Sequence, residues 1–470
     1  MRTRKLVATA VLIPLILAVF PKITFSAPIE IDAINVSSFL IVDAEQGLAC
    51  SVQDSTENIF GRIKEPRILE LGAVFNKKNP AKQKNKWLAC LDDGRKDCAK
   101  HHKRWKTWKK FRKQCNAYSV ADLPKPETPG PGATPCSLPT ETESEDLEKQ
   151  LDSSLAQFIS DTDFTYAIER ADGRAYVYSS ASSSLQTLYK SASTSKLVSA
   201  VIILRLVDQG YLALADRPQD HITTWPLAGS ELSEDPLKNI TLANLLSFTS
   251  GLTVEPPCLD MPGANFEDCV NDIAAHNLGN GSVPGEEFYY SPNHLQVAGM
   301  MAIKALGYES WQDVFSAFRS QTGLFQNSTY DLPSLSNPRL AGGMHWIAED
   351  YRSFLRAFAN GSLLSPALQT QALKDQTASA KMAYSPVFVA LGEDWHYGFG
   401  LWLECQSPEF NCAAAGRKSS PGAYGAYPFW DTARDYFGLL ARQGALGTFQ
   451  NGYAIDYSVR SLAEAWATCK

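Results

Sequence analysis

A serine and a lysine three residues apart are the clearest candidates for catalysis in this 470-residue sequence. Ser193 and Lys196 open a mostly apolar run that is predicted to form a helix as far as Gly210, with Ser193 at its N-terminus. Residues three apart share one face of a helix, so the amine can reach the hydroxyl and accept its proton. Burial would lower the pKa of the lysine and make the neutral amine available as a base. The tetrad therefore predicts a nucleophilic serine.

Several other segments give this tetrad a context. They are residues 189–196 around the serine, 210–216 after the helix, 240–252 and 341–350. In order and spacing they resemble the serine beta-lactamases, penicillin-binding DD-peptidases and beta-lactamase-like esterases, on the class C-like side of that superfamily. The resemblance covers roughly residues 146–470 and implies a two-step acyl transfer on Ser193.

Residues 284–299 are similar to the second catalytic element of that superfamily, in which a tyrosine hydroxyl moves a proton between nucleophile and leaving group. The resemblance implies this role for Tyr290. The superfamily usually has an asparagine two residues later, which orients the lysine and binds the substrate's amide, but here that residue is Pro292. Either the contact is lost, or the loop slips by one residue and Asn293 supplies it.

The third element of the superfamily, Lys-Thr-Gly or His-x-Gly on an edge strand, corresponds by position to residues 420–422. Ser420 stands where the cation would be. Gly422 still allows close backbone approach, and the amide of Ala423 together with that of Ser193 is predicted to form the oxyanion hole. We therefore expect Ser420, Gly422, Ala423 and Asn293 to contact the substrate.

The missing cation bears on the substrate, because beta-lactams and D-Ala-D-Ala peptides both carry a carboxylate that it would meet. Arg417 or Lys418 could turn in to replace it. We expect a carboxylesterase or a D-alanyl-D-alanine carboxypeptidase-like enzyme rather than a beta-lactamase, with a small ester or a cell-wall peptide as substrate. The alternative is a sensor or binding protein of the cell envelope that keeps the fold and has lost turnover.

The resemblance implies an α/β (α+β) fold of the beta-lactamase/transpeptidase type, with an antiparallel sheet flanked by helices and a helical lobe. Ser193 should lie in the cleft between them. The strands expected in the sheet lie near residues 164–168, 175–178, 398–403 and 436–440. This arrangement pairs strands from the two ends of the domain.

Other chemistries have little support in the sequence. His221, His345 and His396 could suggest a Ser-His-Asp triad, but the chain has no Gly-x-Ser-x-Gly elbow, and we interpret all three as structural. It also has neither a His-Glu-x-x-His motif nor a glycine-rich phosphate loop. We predict no metal and no cofactor.

The N-terminus indicates export. Three cations precede an apolar run and then small residues, which is typical of a signal peptide cleaved after Ser26. We therefore predict a periplasmic or secreted protein. The expected parts are the signal peptide at 1–26, a basic cysteine-containing region at 27–122, a proline-rich linker at 123–145 and the hydrolase domain at 146–470.

All 10 cysteines follow the signal peptide, and an oxidising destination favours disulfides over a zinc site. Two short-range pairs are expected, Cys258 with Cys269 and Cys405 with Cys412. A bridge from Cys136 to Cys469 would join the ends of the C-terminal domain. The other four cysteines should pair among themselves.

Residues 77–113 carry an excess of 12 positive charges in a chain whose net charge is -6. Trp105, Trp108 and Phe111 recur every three residues there and would form a stripe on a helix. The stripe could pack on a small core of its own, or the segment could bind an anionic envelope polymer or lipid. We expect no nucleic-acid partner.

Overall fold

The computed structural model describes residues 38–43, 48–53, 141–225, 235–412 and 416–468. Residues 1–125 with 389–392 form one compact unit, and 126–388 with 393–470 form the second. In the first unit, β1 (Ser38–Asp43) and β2 (Leu48–Gln53) pair as an antiparallel hairpin.

Several sequence-based expectations lie outside the described residues. They concern the signal peptide, the basic segment 77–113 and the bridge between Cys136 and Cys469. Export and contact with an anionic partner therefore stay predictions.

A seven-stranded antiparallel sheet is the centre of the second unit. Its strands, in spatial order, are β10 (His396–Tyr397), β11 (Trp402–Leu403), β12 (Arg417–Ser419), β13 (Tyr427–Asp431), β14 (Tyr436–Arg442), β3 (Phe164–Arg170) and β4 (Ala175–Ser179). The pairing of β14 with β3 joins the two ends of the domain along seven residue pairs. The expected mixed fold with an antiparallel sheet is confirmed.

One expected strand is shorter than the sequence suggests. The predicted strand at 398–403 is paired only at β11, because Gly400 turns at a φ of +75° and its N–H donates to the Leu246 carbonyl. A Cβ at Gly400 would lie 2.4 Å from the Cβ of Ala200. This bend brings the edge of the sheet against the helix that begins at Ser195.

Eleven helices surround the sheet in the described part of the chain. They are α1 (Glu141–Gln157), α2 (Ser195–Asp208), α3 (Pro218–His221), α4 (Leu242–Leu246), α5 (Phe266–Asn277), α6 (Asn293–Leu306), α7 (Trp311–Thr322), α8 (Ala348–Ala359), α9 (Pro366–Leu373), α10 (Pro386–Leu391) and α11 (Phe449–Thr468). Among these residues no helix is long and apolar enough to span a membrane.

Helices α1 and α11 pack together beside the sheet and bring the ends of the domain close. Glu148 on α1 accepts hydrogen bonds from Arg174 at 2.8 Å and from the Trp466 indole on α11 at 2.8 Å. Helix α1 begins at Glu141, five residues before the start expected from its apolar periodicity. Its first turns are rich in acidic residues, which favour a helix N-terminus but give no apolar signal.

The core of the unit forms around α2, which is apolar on almost every side. Eleven of its 14 residues are buried, as expected for a helix enclosed by other elements. The helix ends at Asp208, and the chain turns away at Gly210, whose φ of +78° is strained for residues with a side chain. Because α2 is enclosed, the residues at its first turn are held firmly.

Two small sheets position the loops around α2. Strands β5 (Leu188–Lys190), β8 (Met344–Ile347) and β7 (Thr329–Tyr330) form one sheet, and β6 (Glu287–Tyr289) pairs in parallel with β9 (Lys381–Tyr384) in the other. Strand β5 leads directly into the nucleophile turn. Strand β6 leads directly into Tyr290.

Candidate active site

Ser193 lies in a tight turn that joins β5 to α2. A short 3-10 helix, Ala192–Thr194, precedes α2, and Ala192 has a φ of +45°, in the left-handed region that costs energy for a residue with a side chain. The turn is fixed from both ends: Ser191 donates its N–H to the Met344 carbonyl at 2.9 Å, and the Ser191 and Ser195 hydroxyls are 2.5 Å apart. The strained backbone presents a partly exposed Ser193 side chain.

Lys196 lies one turn further along and contacts the serine. Its Nζ is 2.8 Å from Ser193 Oγ and also donates to the Ala341 carbonyl at 2.9 Å. The side chain is buried, with 4% exposure. Burial, and then the positive charge of Arg339, lowers the pKa of Lys196 to about 7. A large fraction of this amine is therefore neutral near pH 7 and able to accept the serine proton.

Tyr290 completes a group of three side chains. The Ser193 side chain is close enough to lower the pKa of the Tyr290 phenol, against the larger effect of burial, and Lys196 Nζ lies 4.5 Å from the centre of the Tyr290 ring. The ring stacks on Trp402 at 5.1 Å. Burial raises the pKa of Tyr290 well above its usual value, so the phenol stays protonated at neutral pH. The structure thus brings together all three residues for which a catalytic role was inferred from sequence.

The segment after β12 packs directly against the nucleophile turn. A Cβ added at Gly422 would lie 2.5 Å from the Ser191 carbonyl oxygen, so this position needs glycine for close approach. The Ser420 hydroxyl donates to the Ser193 carbonyl at 3.3 Å. The N–H of Ala423 has no acceptor among the described residues, so it is available as an oxyanion donor.

Gly422→Ala is expected to lower kcat/KM about tenfold to a hundredfold, because the added methyl group must push the strand away from the nucleophile turn. Overpacking of this kind also costs about 1–3 kcal/mol of unfolding free energy. Ester turnover and thermal unfolding measure the two effects. Gly416→Ala is the matched control, because a Cβ there meets nothing within 4 Å. Equal activity of the two variants would contradict the assigned packing.

Comparison with known proteins agrees with this geometry. A family model described as beta-lactamase matches residues 165–448, which is more than half of the chain. The chain belongs to the beta-lactamase family. The matched range, residues 165–448, contains every candidate site residue named above.

Solved structures of similar fold include three that cover most of the second unit. A candidate beta-lactamase from Bacteroides dorei DSM 17855 is 24% identical, with a TM-score of 0.55, over 68% of this chain and 98% of its own. EstCE1, described as a hydrolase with promiscuous acyltransferase activity, is 18% identical, with a TM-score of 0.55, over 69% and 100%. A penicillin-binding protein from Bacillus halodurans is 17% identical, with a TM-score of 0.50, over 67% and 98%. The comparison with curated protein sequences found no match.

Arg417 and Lys418, which could replace the missing cation of the third element, make other contacts in the described part of the chain. Arg417 points to Asp456, at 2.5 Å, and lies over the Phe429 ring. Lys418 donates to the Gly416 carbonyl at 3.0 Å and to the Thr432 hydroxyl at 3.3 Å. These contacts of Arg417 and Lys418 are with residues outside the turn around Ser193.

Asn293 lies away from the lysine that the corresponding family asparagine would orient. It is fully buried at the first turn of α6, and its Nδ2 donates to the Leu252 carbonyl at 3.1 Å and to the Val254 carbonyl at 2.9 Å. Its Oδ1 has no hydrogen-bond partner among the described residues. This placement favours the loss of the usual contact over a slip of the loop, and the Ala341 carbonyl holds Lys196 instead.

The three histidines considered for a triad each pair with an aspartate. His221 pairs with Asp216 at 2.8 Å, His345 with Asp331 at 2.6 Å and His396 with Asp375 at 2.6 Å. None of them bonds to Ser193 among the described contacts. The titratable side chain in contact with Ser193 Oγ is that of Lys196, at 2.8 Å.

Both short-range cysteine pairs are present at disulfide distance. Their Cα atoms are 5.4 Å apart for Cys258 and Cys269, and 5.5 Å apart for Cys405 and Cys412. The first pair staples the loop before α5 to that helix.

Sequence reasoning missed two charged residues near this site. Arg339 lies close enough to lower the pKa of Lys196, and its Nη1 pairs with Asp260 at 3.0 Å. The negative charge of Glu255 acts on Lys196 in the opposite direction. Neither residue belongs to a catalytic motif, and only the tertiary fold brings them to the lysine.

Proposed function

We propose that this protein is a serine hydrolase that cleaves an ester or an amide through an acyl-enzyme on Ser193. The observation that carries the proposal is the 2.8 Å contact between a buried Lys196 amine and Ser193 Oγ. A buried amine with a pKa of about 7 suits the role of general base at neutral pH. The Tyr290 phenol lies beside Ser193 and stays protonated at neutral pH, so it suits proton transfer to a leaving group.

In the first step, Ser193 Oγ attacks the substrate carbonyl while Lys196 takes the hydroxyl proton. The negative charge that develops on the carbonyl oxygen meets the Ala423 and Ser193 amides. The tetrahedral intermediate then expels the alcohol or amine, which receives a proton from Tyr290, and Tyr290 recovers one from Lys196. The products are an acyl-Ser193 ester and the free leaving group.

In the second step, water attacks the acyl-Ser193 ester. Lys196 takes a proton from that water, directly or through Tyr290, and the tetrahedral intermediate breaks down to the carboxylic acid and Ser193. The proton that Lys196 holds returns to Ser193 Oγ as the bond breaks. The site is then ready for another cycle.

An ester without a carboxylate is the substrate class that the site favours. The third element offers Ser420 where relatives place a cation, and Arg417 and Lys418 make contacts elsewhere. A substrate carboxylate would therefore lose its water shell without gaining a charge-assisted partner there.

We expect kcat/KM for a neutral p-nitrophenyl ester to exceed that for a penicillin or a D-Ala-D-Ala peptide by about tenfold to a hundredfold. A charge-assisted hydrogen bond contributes about 1.5–3 kcal/mol, which corresponds to that ratio. Steady-state turnover of the three substrates measures it. A penicillin and its carboxylate methyl ester are the matched pair, and kcat/KM for the methyl ester should equal or exceed that for the free penicillin, because no cation meets the carboxylate there.

Strong preference for the free penicillin over its methyl ester would contradict the proposed substrate class. Absence of turnover with every substrate would favour the alternative, a binding protein of the cell envelope that has kept the fold. The departures at Pro292 and Ser420 motivate that alternative.

A further inference from the structure

We propose that Glu255, together with the neighbouring rings of Tyr289 and Tyr384, binds a cationic group on the leaving alcohol or amine of the substrate. This specificity role depends on the proposed hydrolase activity. It identifies the substrates as esters or amides whose leaving group carries an ammonium.

Glu255 lies beside the segment that carries Tyr290. The carbonyl of Val254, the residue before Glu255, accepts a hydrogen bond from Asn293 at 2.9 Å, and the Ser291 side chain acts to lower the pKa of the Glu255 carboxyl, against the larger effect of burial. Because Tyr290 delivers the proton to the departing atom, groups flanking Tyr290 face the leaving group rather than the acyl group. A positive charge on the leaving group would therefore meet Glu255.

Two tyrosine rings complete an ammonium-binding surface beside this carboxylate. The rings of Tyr289 and Tyr384 lie 5.2 Å apart, and the Tyr290 N–H donates to the Tyr384 carbonyl at 3.1 Å. Burial, and secondarily the charge of Glu255, raises the pKa of the Tyr289 phenol, and Glu255 acts in the same direction on Tyr384. Tyr384 is 40% exposed. Aromatic faces next to a carboxylate attract ammonium groups through cation–π and ionic contacts.

The loop that carries Glu255 is held rigidly. Val254, the preceding residue, exchanges hydrogen bonds with Asn277, donating at 2.8 Å and accepting at 2.9 Å. The Val254 carbonyl also accepts from Asn293 at 2.9 Å. This fixation gives buried Asn293 a positioning role and presents Glu255 without a large entropic cost.

The balance of charge around Glu255 is favourable for a cation. Among the described residues no cation lies within ion-pair distance of its carboxylate, and burial raises the pKa of this carboxyl. Arg339 is partly neutralised by Asp260 at 3.0 Å. Lys196, with a pKa of about 7, is mostly neutral at higher pH. The remaining local charge is the negative charge of Glu255, and a bound ammonium would compensate it.

A pair of isosteric esters tests the proposal. Butyrylcholine carries a quaternary ammonium on its alcohol, and 3,3-dimethylbutyl butyrate has the same shape without the charge. At pH 8.5, where Lys196 is neutral, the wild-type protein should favour butyrylcholine about tenfold to a hundredfold in kcat/KM. Glu255→Gln should remove that preference, because it lowers kcat/KM for butyrylcholine about tenfold to a hundredfold and that for the neutral ester much less.

Glu287→Gln is the matched control, because it removes the same charge from a nearby carboxylate that pairs with Lys381 at 2.7 Å. This variant should keep the wild-type preference. Equal turnover of the two esters by the wild type, or a preference that survives Glu255→Gln, would overturn the proposal. Equal losses on both esters would also overturn it, because Glu255 would then act through the catalytic groups. If the wild type hydrolyses neither ester, the proposed hydrolase activity itself fails.

Discussion

Ser193→Ala is expected to lower ester turnover by about 10⁴-fold or more, because the variant lacks the oxygen that forms the acyl-enzyme. The 2.8 Å contact with Lys196 is lost as well, but the enclosed α2 helix should keep its place. Initial rates with a neutral ester measure the effect, and thermal unfolding reports whether the fold is intact.

Ser184→Ala is the matched control for this substitution. Ser184 is exposed and its hydroxyl contacts Thr187 at 3.2 Å, away from the candidate site. It should retain wild-type turnover. Comparable activity in Ser193→Ala and Ser184→Ala would remove Ser193 from the mechanism.

Lys196→Met should lower kcat about 10²- to 10⁴-fold, the usual contribution of a general base. In the wild type, the neutral amine is the active form. Activity should therefore be low in acid, rise about tenfold per pH unit, and level off above the Lys196 pKa of about 7. The pH dependence of kcat/KM on a neutral ester measures this rise, and the residual activity of Lys196→Met should lack it.

A rise centred near pH 10 would mean that Lys196 keeps the ordinary pKa of an exposed lysine and that its burial does not tune it. A rise near pH 7 that persists in Lys196→Met would assign it to another group. His294 is an unsuitable candidate for that group, because burial lowers its pKa to about 4.

The catalytic turn was the most predictable part of the molecule. Local helix geometry alone places a serine and a lysine three residues apart on the same face of the helix. In the structure, Lys196 Nζ lies 2.8 Å from Ser193 Oγ. The approach of Gly422 to the same turn was also readable, since glycine at that position points to a close backbone contact.

Contacts made only by tertiary packing could not be read from the sequence. The carbonyl that holds Lys196 belongs to Ala341, 145 residues away, and any residue type could supply it. Asn293 has the right residue type for a substrate ligand, yet its amide bonds to the loop before Glu255. Glu255 itself lies in no recognised motif. Its importance arises from the neighbours that it has in the folded protein.

Element boundaries failed where local signals conflicted. The proline-rich texture suggested an extended linker up to residue 145, whereas α1 begins at Glu141 with an acidic first turn. The fold expected from the resemblance placed one strand near residues 398–403, but Gly400 bends the chain against α2. At Glu141, acidic side chains that favour a helix N-terminus outweigh the extended conformation expected of the linker. At Gly400, packing against α2 outweighs the expected strand.

The central claim is that Ser193 is an activated nucleophile, and intact-mass spectrometry after exposure to a fluorophosphonate tests it most directly. The wild-type protein should gain the mass of one phosphonyl group, and Ser193→Ala should gain none. An unmodified wild type, or an adduct retained by Ser193→Ala, would contradict the mechanism proposed for this site.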